Sequence, residues 1–213
     1  MIDKENDLWW REYFYPNTNV LINNLGIKDI DKLKEAEATI SFERLLELRQ
    51  KELDMDIDKR RLNFIHQYLF EDIYPFAGKY RKVNMMKRRG TFLFINKPED
   101  IDLKLDNLFK EIDEAFKHCR DKTSFCEVLA KLYTSLIYIH PYREGNGRTI
   151  REFMREYSLK YSEKIGLGKL ELDWNLINKE ELDECIEVVH LFPASILDIF
   201  MDALVEKDKT KTL

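Results

Sequence analysis

The chain has 213 residues, and 44% of them are hydrophobic, which is enough to bury a substantial core. Its 35 basic and 40 acidic residues leave a formal net charge of -5 and are spread along the whole chain, so binding to nucleic acid is disfavoured. No apolar stretch approaches a membrane span, and the three cysteines include no Cys-x-x-Cys pair. We therefore expect a protein of the reducing cytoplasm without membrane partners, while secretion as an effector stays open.

The chain begins with an arm, residues 1–27, that is rich in aromatic residues and is interrupted by proline, asparagine and glycine. Residues 28–206 are expected to form one mainly helical domain, and residues 207–213 a polar tail. Apolar residues at helical spacing predict helices at residues 27–53, 58–73, 98–117, 122–139, 147–162, 178–190 and 193–206.

Two of these helices carry specific expectations about packing. In the first, the residues near helical spacing are expected to face the core: Leu33, Ala36, Ile40, Phe42 and Leu46. The helix at residues 122–139 has the widest apolar surface, which Tyr133 and Ile137 extend, so it is expected to lie at the centre.

Between Gly78 and Asn96 the pattern changes to that of a β-hairpin, with Val83 and Met85 before the turn at residues 88–90 and the mostly apolar run of residues 91–95 after it. Six basic residues lie in this segment between positions 79 and 89. Such a cluster is either a solvated hairpin or a contact for an anion or a partner.

The most informative segment is residues 139–151, Ile-His-Pro-Tyr-Arg-Glu-Gly-Asn-Gly-Arg-Thr-Ile-Arg, which joins the most apolar helix to an amphipathic one. Gly145 and Gly147 can take positive φ angles and leave room for a close approach, so the N–H groups of the loop can converge on an anion. Asn146 can donate a further hydrogen bond. The start of the next helix adds its own unpaired N–H groups, a setting that favours phosphate.

Charged residues around this loop extend the same interpretation. Arg148 and Arg151 are three residues apart, so they share a helix face and can grip a diphosphate or triphosphate. Glu144 can supply the single carboxylate typical of a nucleotide-bound magnesium ion. His140, next to Pro141, is suited to take a proton from a hydroxyl group. The competing interpretation is a simple turn, which would require neither the paired arginines nor the histidine.

These residues resemble the signature of the Fic family, His-x-Phe-x-(Asp/Glu)-Gly-Asn-Gly-Arg-x-x-Arg. Tyr142 stands where the family usually has phenylalanine, and because that position is expected to face the core, its hydroxyl needs a partner or a water. The resemblance covers roughly residues 10–200 and includes the stretches Phe14–Thr18, Leu25–Ile27 and Leu69–Arg81. It implies an all-α fold, a Fic-type helical bundle with a short β-hairpin flap.

The resemblance also implies a reaction: transfer of AMP from ATP to a serine, threonine or tyrosine hydroxyl of a target protein, with Mg2+ as cofactor and pyrophosphate as product. It assigns His140 as the base and Glu144 as the magnesium ligand. The remaining roles are a phosphate cradle and a clamp on the leaving pyrophosphate, formed by Gly145, Asn146, Gly147, Arg148 and Arg151. Removal of AMP, transfer of another phosphate group and a nucleotide-binding module without turnover remain alternatives.

Two further expectations follow from the resemblance. Lys87 and Thr91 are candidate contacts to the target in the flap, with surface decoration as the equal alternative. Family members are commonly held inactive by a helix with (Ser/Thr)-x-x-x-Glu-(Gly/Asn), and the nearest match, at residues 39–44, ends in arginine. Inhibition is therefore expected to come from a separate small antitoxin protein.

Overall fold

The computed structural model describes residues 11–51, 56–89, 92–188 and 195–207. Within these ranges the helices are α1 (Ile30–Arg49), α2 (Lys59–Phe70), α3 (Ile101–Phe116), α4 (Lys122–Ile139), α5 (Asn146–Lys164), α6 (Lys179–Val188) and α7 (Ser195–Ala203). The strands are β1 (Met85–Arg89), β2 (Phe92–Asn96), β3 (Leu170–Leu172) and β4 (Leu204–Glu206). This mostly helical architecture with a β-hairpin is the predicted fold class. None of the helices in the described ranges has both the length and the apolar character that crossing a membrane requires.

Helix α4 lies at the centre of the bundle, and its bounds are those predicted. Asp121 caps its first turn by accepting a hydrogen bond from the Ser124 N–H at 2.8 Å. The Ser124 hydroxyl in turn accepts one from the Asp121 N–H at 3.2 Å, which completes a capping box. Helices α3, α5 and α7 pack against α4, and the side chains along its length are largely buried. The position of its C-terminal end is therefore well determined.

Helix α5 is tied to its neighbours by ion pairs with little exposure to solvent. Glu152 accepts hydrogen bonds from Arg49 of α1 at 2.8 Å and from Arg155 at 2.6 Å. Arg61 of α2 pairs with Glu156 at 2.6 Å. Buried ion pairs add little net stability, but each one fixes how two helices are placed. The middle of α5 is therefore held by both α1 and α2.

The prediction for the apolar face of α1 is wrong in part. Leu33 is buried, whereas 59% of Phe42 and 36% of Leu46 are exposed. The reason is that α1 turns polar groups, including Ser41 and the largely buried carboxylate of Glu37, toward α5. The helix therefore docks through hydrogen bonds and ion pairs as much as through apolar contacts, and a hydrophobic pattern could not predict this orientation.

The hairpin predicted between residues 78 and 96 is present as β1 and β2, which pair antiparallel. In the observed register Met85 lies opposite Asn96, Lys87 opposite Phe94 and Arg89 opposite Phe92. The structure describes the backbone at Lys87 but not its side chain, and Thr91 lies outside the described residues. The two candidate flap contacts thus stay predictions.

The helix predicted at residues 193–206 is wrong at its end, because its last three residues form β4 and pair with β3. Helix α5 explains why this second sheet forms. The Ser162 hydroxyl accepts a hydrogen bond from the Leu170 N–H, and the Ser158 hydroxyl one from the Leu172 N–H, both at 2.9 Å. These contacts hold β3 along α5, and the other edge of β3 forms antiparallel backbone hydrogen bonds with β4.

The described part of the N-terminal arm packs on the helical domain. Phe14 and Leu21 form an isolated β-bridge that folds the arm back on itself. The Tyr13 hydroxyl accepts a hydrogen bond from the Lys82 N–H at 3.1 Å, which links the arm to the segment leading into β1. Residues 1–10 lie outside the described residues.

Candidate active site

His140 occupies the C-cap of α4. Its φ and ψ angles are 48° and 64°, a left-handed conformation that is uncommon for a residue with a side chain. Its N–H still donates to the Leu136 carbonyl at 3.0 Å, so the last turn of the helix is intact. Pro141 then stops the helix. The half-buried imidazole of His140 is one wall of a cavity of about 330 Å³.

The loop after His140 depends on a glycine with a positive φ. Gly145 has a φ of 80°, and a Cβ at this position would overlap the ring of Phe70. The same freedom was predicted for Gly147, but that residue lies inside the first turn of α5 and has no positive φ. Helix α5 begins at Asn146, one residue earlier than predicted, and its first N–H groups have no intrahelical partners. The exposed Gly147 also lines the cavity.

The Asn146 side chain braces the loop instead of pointing into the cavity. Its Oδ1 accepts a hydrogen bond from the Tyr142 N–H at 2.9 Å, and its Nδ2 donates to the Tyr142 carbonyl at 2.7 Å. Asn146 is buried. The Asn146 amide therefore links the two ends of the loop, at Tyr142 and at the start of α5. Only the backbone N–H of Asn146 remains suited to an anion.

The two arginines of the loop are separated by the structure. Arg151 is exposed, lines the cavity and makes no ion pair among the described residues. Arg148 points to α1, where it pairs with Glu37 and donates to the Ser41 hydroxyl at 2.9 Å. The guanidinium carbon of Arg148 also lies 4.7 Å from the centre of the Phe70 ring. The spacing of Arg148 and Arg151 predicted that both side chains would grip the same ligand. The ion pair with Glu37 instead holds Arg148 outside the cavity.

Glu144 lies at the tip of the loop and is half-buried. One of its carboxylate oxygens accepts a hydrogen bond from the Gly145 N–H at 2.9 Å. No cluster of three or more His, Cys, Asp or Glu residues able to hold a metal occurs in the described part of the chain. A cation at this loop would therefore take one carboxylate from the protein and its other ligands from a bound molecule and water.

The other end of the cavity is apolar. Tyr133 and Ile137 of α4 line it together with Trp174 and Leu182. The ring centres of Tyr133 and Trp174 are 5.4 Å apart, and the Trp174 indole N–H donates to the Arg151 carbonyl at 2.9 Å. The cavity thus joins an aromatic pocket to a helix start that carries an unpaired arginine. This arrangement suits a ligand with a flat ring at one end and phosphates at the other.

Comparisons with known proteins support this interpretation. The Fic/DOC family model matches residues 56–158. "Protein adenylyltransferase VbhT" of Bartonella schoenbuchensis is 31% identical over 80% of this chain and 34% of its own length. "Probable protein adenylyltransferase y4lH" of Sinorhizobium fredii is 30% identical over 74% of this chain and 80% of its own length. The chain belongs to the Fic/DOC family.

A solved structure gives the same result for the fold. The N-terminal Fic domain of a VirB-translocated Bep effector from Bartonella quintana, with bound ADP, superimposes with a TM-score of 0.76. It is 26% identical, and the match covers 92% of this chain and 95% of that one. The chain spans about a third of the VbhT relative. Both relatives are thus named as adenylyltransferases, and the Bartonella quintana Fic domain holds a nucleotide.

Tyr142, the one departure from the family signature, is accommodated without an unsatisfied group. The side chain is fully buried, as expected, and burial raises the pKa of its hydroxyl. That hydroxyl donates to Asn63 Oδ1 at 2.6 Å, and the Asn63 amide donates to the Tyr80 hydroxyl at 3.0 Å. The requirement for a partner is met by a polar group that the sequence did not indicate.

His66 is a structural histidine that supports the Fic loop from behind. Its Nδ1 accepts a hydrogen bond from the Gly78 N–H at 2.8 Å, so its Nε2 carries the proton and donates to the Glu144 carbonyl at 2.9 Å. Its ring stacks on Tyr142 with 3.7 Å between the centres. Burial lowers the pKa of His66 to about 4, which keeps the ring neutral. Sequence reasoning assigned it a structural role but not these contacts.

Arg81 and Trp174 are two residues of the cavity that sequence reasoning missed. Both lie far from the motif in sequence, at 59 and 23 residues from the groups they contact. The stretch Leu69–Arg81 was one of those resembling the family, and this was the available signal for Arg81. Trp174 carried no signal, because it reaches the cavity through a short 3-10 helix after β3.

Proposed function

We propose that this chain transfers AMP from ATP to a serine, threonine or tyrosine hydroxyl of another protein and releases pyrophosphate. The proposal depends on one observation: His140, Gly147 and Arg151 line the same cavity. A base, a helix start and an unpaired guanidinium therefore face one space. A fold of this type, with the histidine, the acid, both glycines and both arginines of the Fic motif, supports this reaction over simple nucleotide binding.

ATP would occupy the cavity along its length. The adenine ring suits the aromatic end, where Tyr133 and Trp174 offer their faces and edges. The triphosphate suits the opposite end, at the N–H groups of Asn146 and Gly147 and the positive end of the α5 dipole. A volume of about 330 Å³ is within the range of small-molecule sites.

His140 is the proposed general base. As the target hydroxyl approaches, the imidazole takes its proton while the hydroxyl oxygen forms a bond to the α-phosphorus. The bond from that phosphorus to the bridging oxygen breaks, and the electron pair leaves with pyrophosphate. Arg151 stabilises the charge that develops on this leaving group. Its lack of an ion pair leaves its donors available for that purpose.

Magnesium is the proposed metal cofactor, held by Glu144 and by oxygens of the nucleotide. The single carboxylate at the loop tip fits this ion, which prefers few protein ligands and keeps several waters. When bound, the ion neutralises phosphate charge.

We assign Arg148 a role different from that of Arg151. Its pair with Glu37 satisfies much of its charge, and the Ser41 hydroxyl fixes the guanidinium. Arg148 therefore contributes to the phosphate site mainly by anchoring the start of α5 to α1, with its positive charge as a weaker second clamp. Arg151 is the principal clamp.

The flap is the proposed docking site for the target. An extended target segment would add to the hairpin by main-chain hydrogen bonds, with Lys87 and Thr91 as its side-chain contacts. This arrangement presents a hydroxyl to His140 without requiring a fixed sequence around it. Met85, at the start of β1, already lines the nucleotide cavity, which supports placing the flap beside the site.

Label position tests the reaction. The chain is incubated with a host lysate and ATP labelled at either the α or the γ position. AMP transfer leaves only the α label on protein, whereas phosphate transfer leaves only the γ label. Removal of AMP and a binding module without turnover leave neither label. The absence of an α-labelled band that depends on magnesium and His140 would overturn the proposal.

Control of the activity is proposed to come from a separate small antitoxin whose glutamate reaches Arg151. Arg151 is exposed and unpaired among the described residues, so it is open to such a contact. The nearest internal candidate, Glu43, is exposed on α1. The proposed setting is a reducing cytoplasm, which suits the free thiols of the three cysteines.

A further inference from the structure

Arg81 is a buried arginine that contacts the backbone around His140. Only 2% of its surface is exposed. Its Nε donates to the His140 carbonyl at 2.8 Å and its Nη2 to the Ile139 carbonyl at 3.3 Å. Its backbone N–H donates to the Pro141 carbonyl at 2.9 Å. One residue therefore holds three consecutive carbonyls, and the middle one belongs to His140.

These carbonyls lie where α4 requires outside partners. The last carbonyls of an α-helix have no intrahelical donors, and they form the negative end of the helix dipole. A glycine usually follows a helix at a left-handed position, because it carries no side chain. Here the left-handed residue is His140, whose φ of 48° persists only if its surroundings hold it. Arg81 supplies both the donors and the positive charge.

The guanidinium of Arg81 is bound by carbonyls alone. Its third contact is a hydrogen bond from Nη1 to the Val83 carbonyl at 2.6 Å, and no carboxylate pairs with it among the described residues. Burial lowers its pKa to about 10, so it stays charged at neutral pH. Arg81 also lines the cavity beside His140 and Arg151. A buried charge in this position is costly, which argues that it serves the site.

We propose that Arg81 is the positioning residue of the general base: it clamps the carbonyls of Ile139, His140 and Pro141 and thereby holds the imidazole toward the cavity. This inference rests on the proposed role of His140 in AMP transfer. Because Val83 and Lys82 lead directly into β1, the same clamp joins the base of the flap to the catalytic turn. The target and the base are therefore aligned by one side chain.

The test compares Arg81→Met and Arg81→Lys with Arg44→Met, a control at a half-buried arginine that binds the α2 backbone. The α label transferred to a fixed amount of lysate is measured over a range of ATP concentrations. We expect Arg81→Met to lower the apparent kcat about 100-fold, with the ATP KM and the Kd for AMPPNP changed less than about threefold. Arg81→Lys keeps the positive charge but cannot donate to several carbonyls at once as the guanidinium does, so its rate should lie between those of Arg81→Met and the wild type. Arg44→Met should retain the wild-type rate of label transfer.

A second readout is independent of activity. With 15N-labelled histidine, the chain has only four imidazole rings to assign, each with two nitrogen signals. Arg81→Met should move the His140 signals and leave those of His118 and His66 in place, whereas Arg44→Met should move none of these. If Arg81→Met fails to fold, the same comparison is made with Arg81→Lys. A wild-type chain without transfer would overturn the proposed function, while the histidine signals would still decide the role of Arg81.

Two results would overturn the inference. Unmoved His140 signals in a folded Arg81 variant would show that the arginine does not position the ring. A Kd for AMPPNP that weakens in step with the rate would show instead that Arg81 binds the nucleotide directly.

Discussion

The side chains proposed to carry the chemistry are less buried than the groups that support them. His140 is half-buried and Arg151 is exposed, while Asn146, Arg81 and His66 are buried and fully engaged in loop contacts. This division is expected of a preorganised site, because reactive groups must meet the substrate while their supports must not move. Two predictions belong to this scale.

His140→Ala should abolish transfer while nucleotide binding survives. A general base acts on the incoming hydroxyl and is worth about 100- to 10,000-fold in rate, whereas it contributes little to holding ATP. The measurement pairs α-label transfer with the Kd for AMPPNP. His118→Ala, at an exposed histidine just after the end of α3, is the control and should change neither quantity. Loss of AMPPNP binding in His140→Ala alone would contradict the assignment.

His66 should make the stability of the fold depend on pH. Its pKa is about 4 in the folded chain and 6.5 when unperturbed, so between these values the unfolded chain binds a proton that the folded chain does not. Stability therefore falls as the pH drops from 6.5 toward 4, by about 1.4 kcal/mol per pH unit, and does not change above 6.5 for this reason.

His66→Gln provides the comparison, since glutamine can hydrogen bond but does not titrate in this range. Urea unfolding near neutral pH and about two units lower should show the wild type losing about 2 kcal/mol more than the variant. Equal losses in the two proteins would show that His66 is not the titrating group.

At the scale of elements, the site is made where the end of α4 meets the start of α5. The turn between them requires Gly145, whose φ is 80°, and Gly166, after α5, has the same φ. A Cβ at Gly145 would overlap Phe70, whereas nothing lies within 4 Å of one at Gly166. These glycines form a matched pair that separates backbone strain from steric overlap.

Gly166→Ala should therefore cost only the strain of a left-handed alanine, about 1–2 kcal/mol. Gly145→Ala should cost about 1–3 kcal/mol more, because the ring of Phe70 must move in a packed core. Both values come from urea unfolding. Equal costs at the two positions would show that the α4–α5 turn relaxes without displacing Phe70.

The contrast between the two motif arginines also belongs to this scale. Arg151→Met should lower transfer about 100-fold with little change in stability, because this side chain positions the leaving group and makes no ion pair in the described structure. Arg148→Met should instead destabilise the fold by about 1–3 kcal/mol, because the largely buried Glu37 loses its cationic partner and keeps only the hydroxyl of Tyr74. Label transfer and urea unfolding are measured on both variants. The reverse pattern would assign the clamp to Arg148.

At the scale of the whole molecule, control of activity decides how the protein behaves in a cell. Arg151 makes no ion pair in the described ranges, although Asp183 lines the same cavity, and Glu43 lies exposed on α1. We expect the chain expressed alone to label itself or host proteins and to slow growth, and His140→Ala to relieve that effect. Growth curves and α-label incorporation measure the two parts.

The outcome that would contradict external control is equally specific. It is a purified chain that is inactive alone and is released by Glu43→Gly. Glu35→Gly, at another exposed position of α1, controls for the loss of helix stability that glycine causes. Release by Glu43→Gly but not by Glu35→Gly would place the inhibitory glutamate within this chain.

Local features of the sequence determined much of this protein. The periodicity of residues 122–139 predicted α4 with its bounds, and the change of pattern between Gly78 and Asn96 predicted the hairpin. The motif at residues 139–151 predicted the family. These predictions succeed because helix capping, strand pairing and a contiguous phosphate loop depend on residues that are neighbours in the chain.

Tertiary structure alone decided the contacts between residues that are distant in sequence. It turned Arg148 to Glu37 and not to the cavity, gave the Tyr142 hydroxyl its partner in Asn63, and made residues 204–206 a strand by placing β3 beside them. It also brought Arg81 to the carbonyl of His140. A polar side chain can bond to any of several groups, and the distance to each group is set only when the helices pack. A local sequence pattern therefore cannot predict which long-range contact forms.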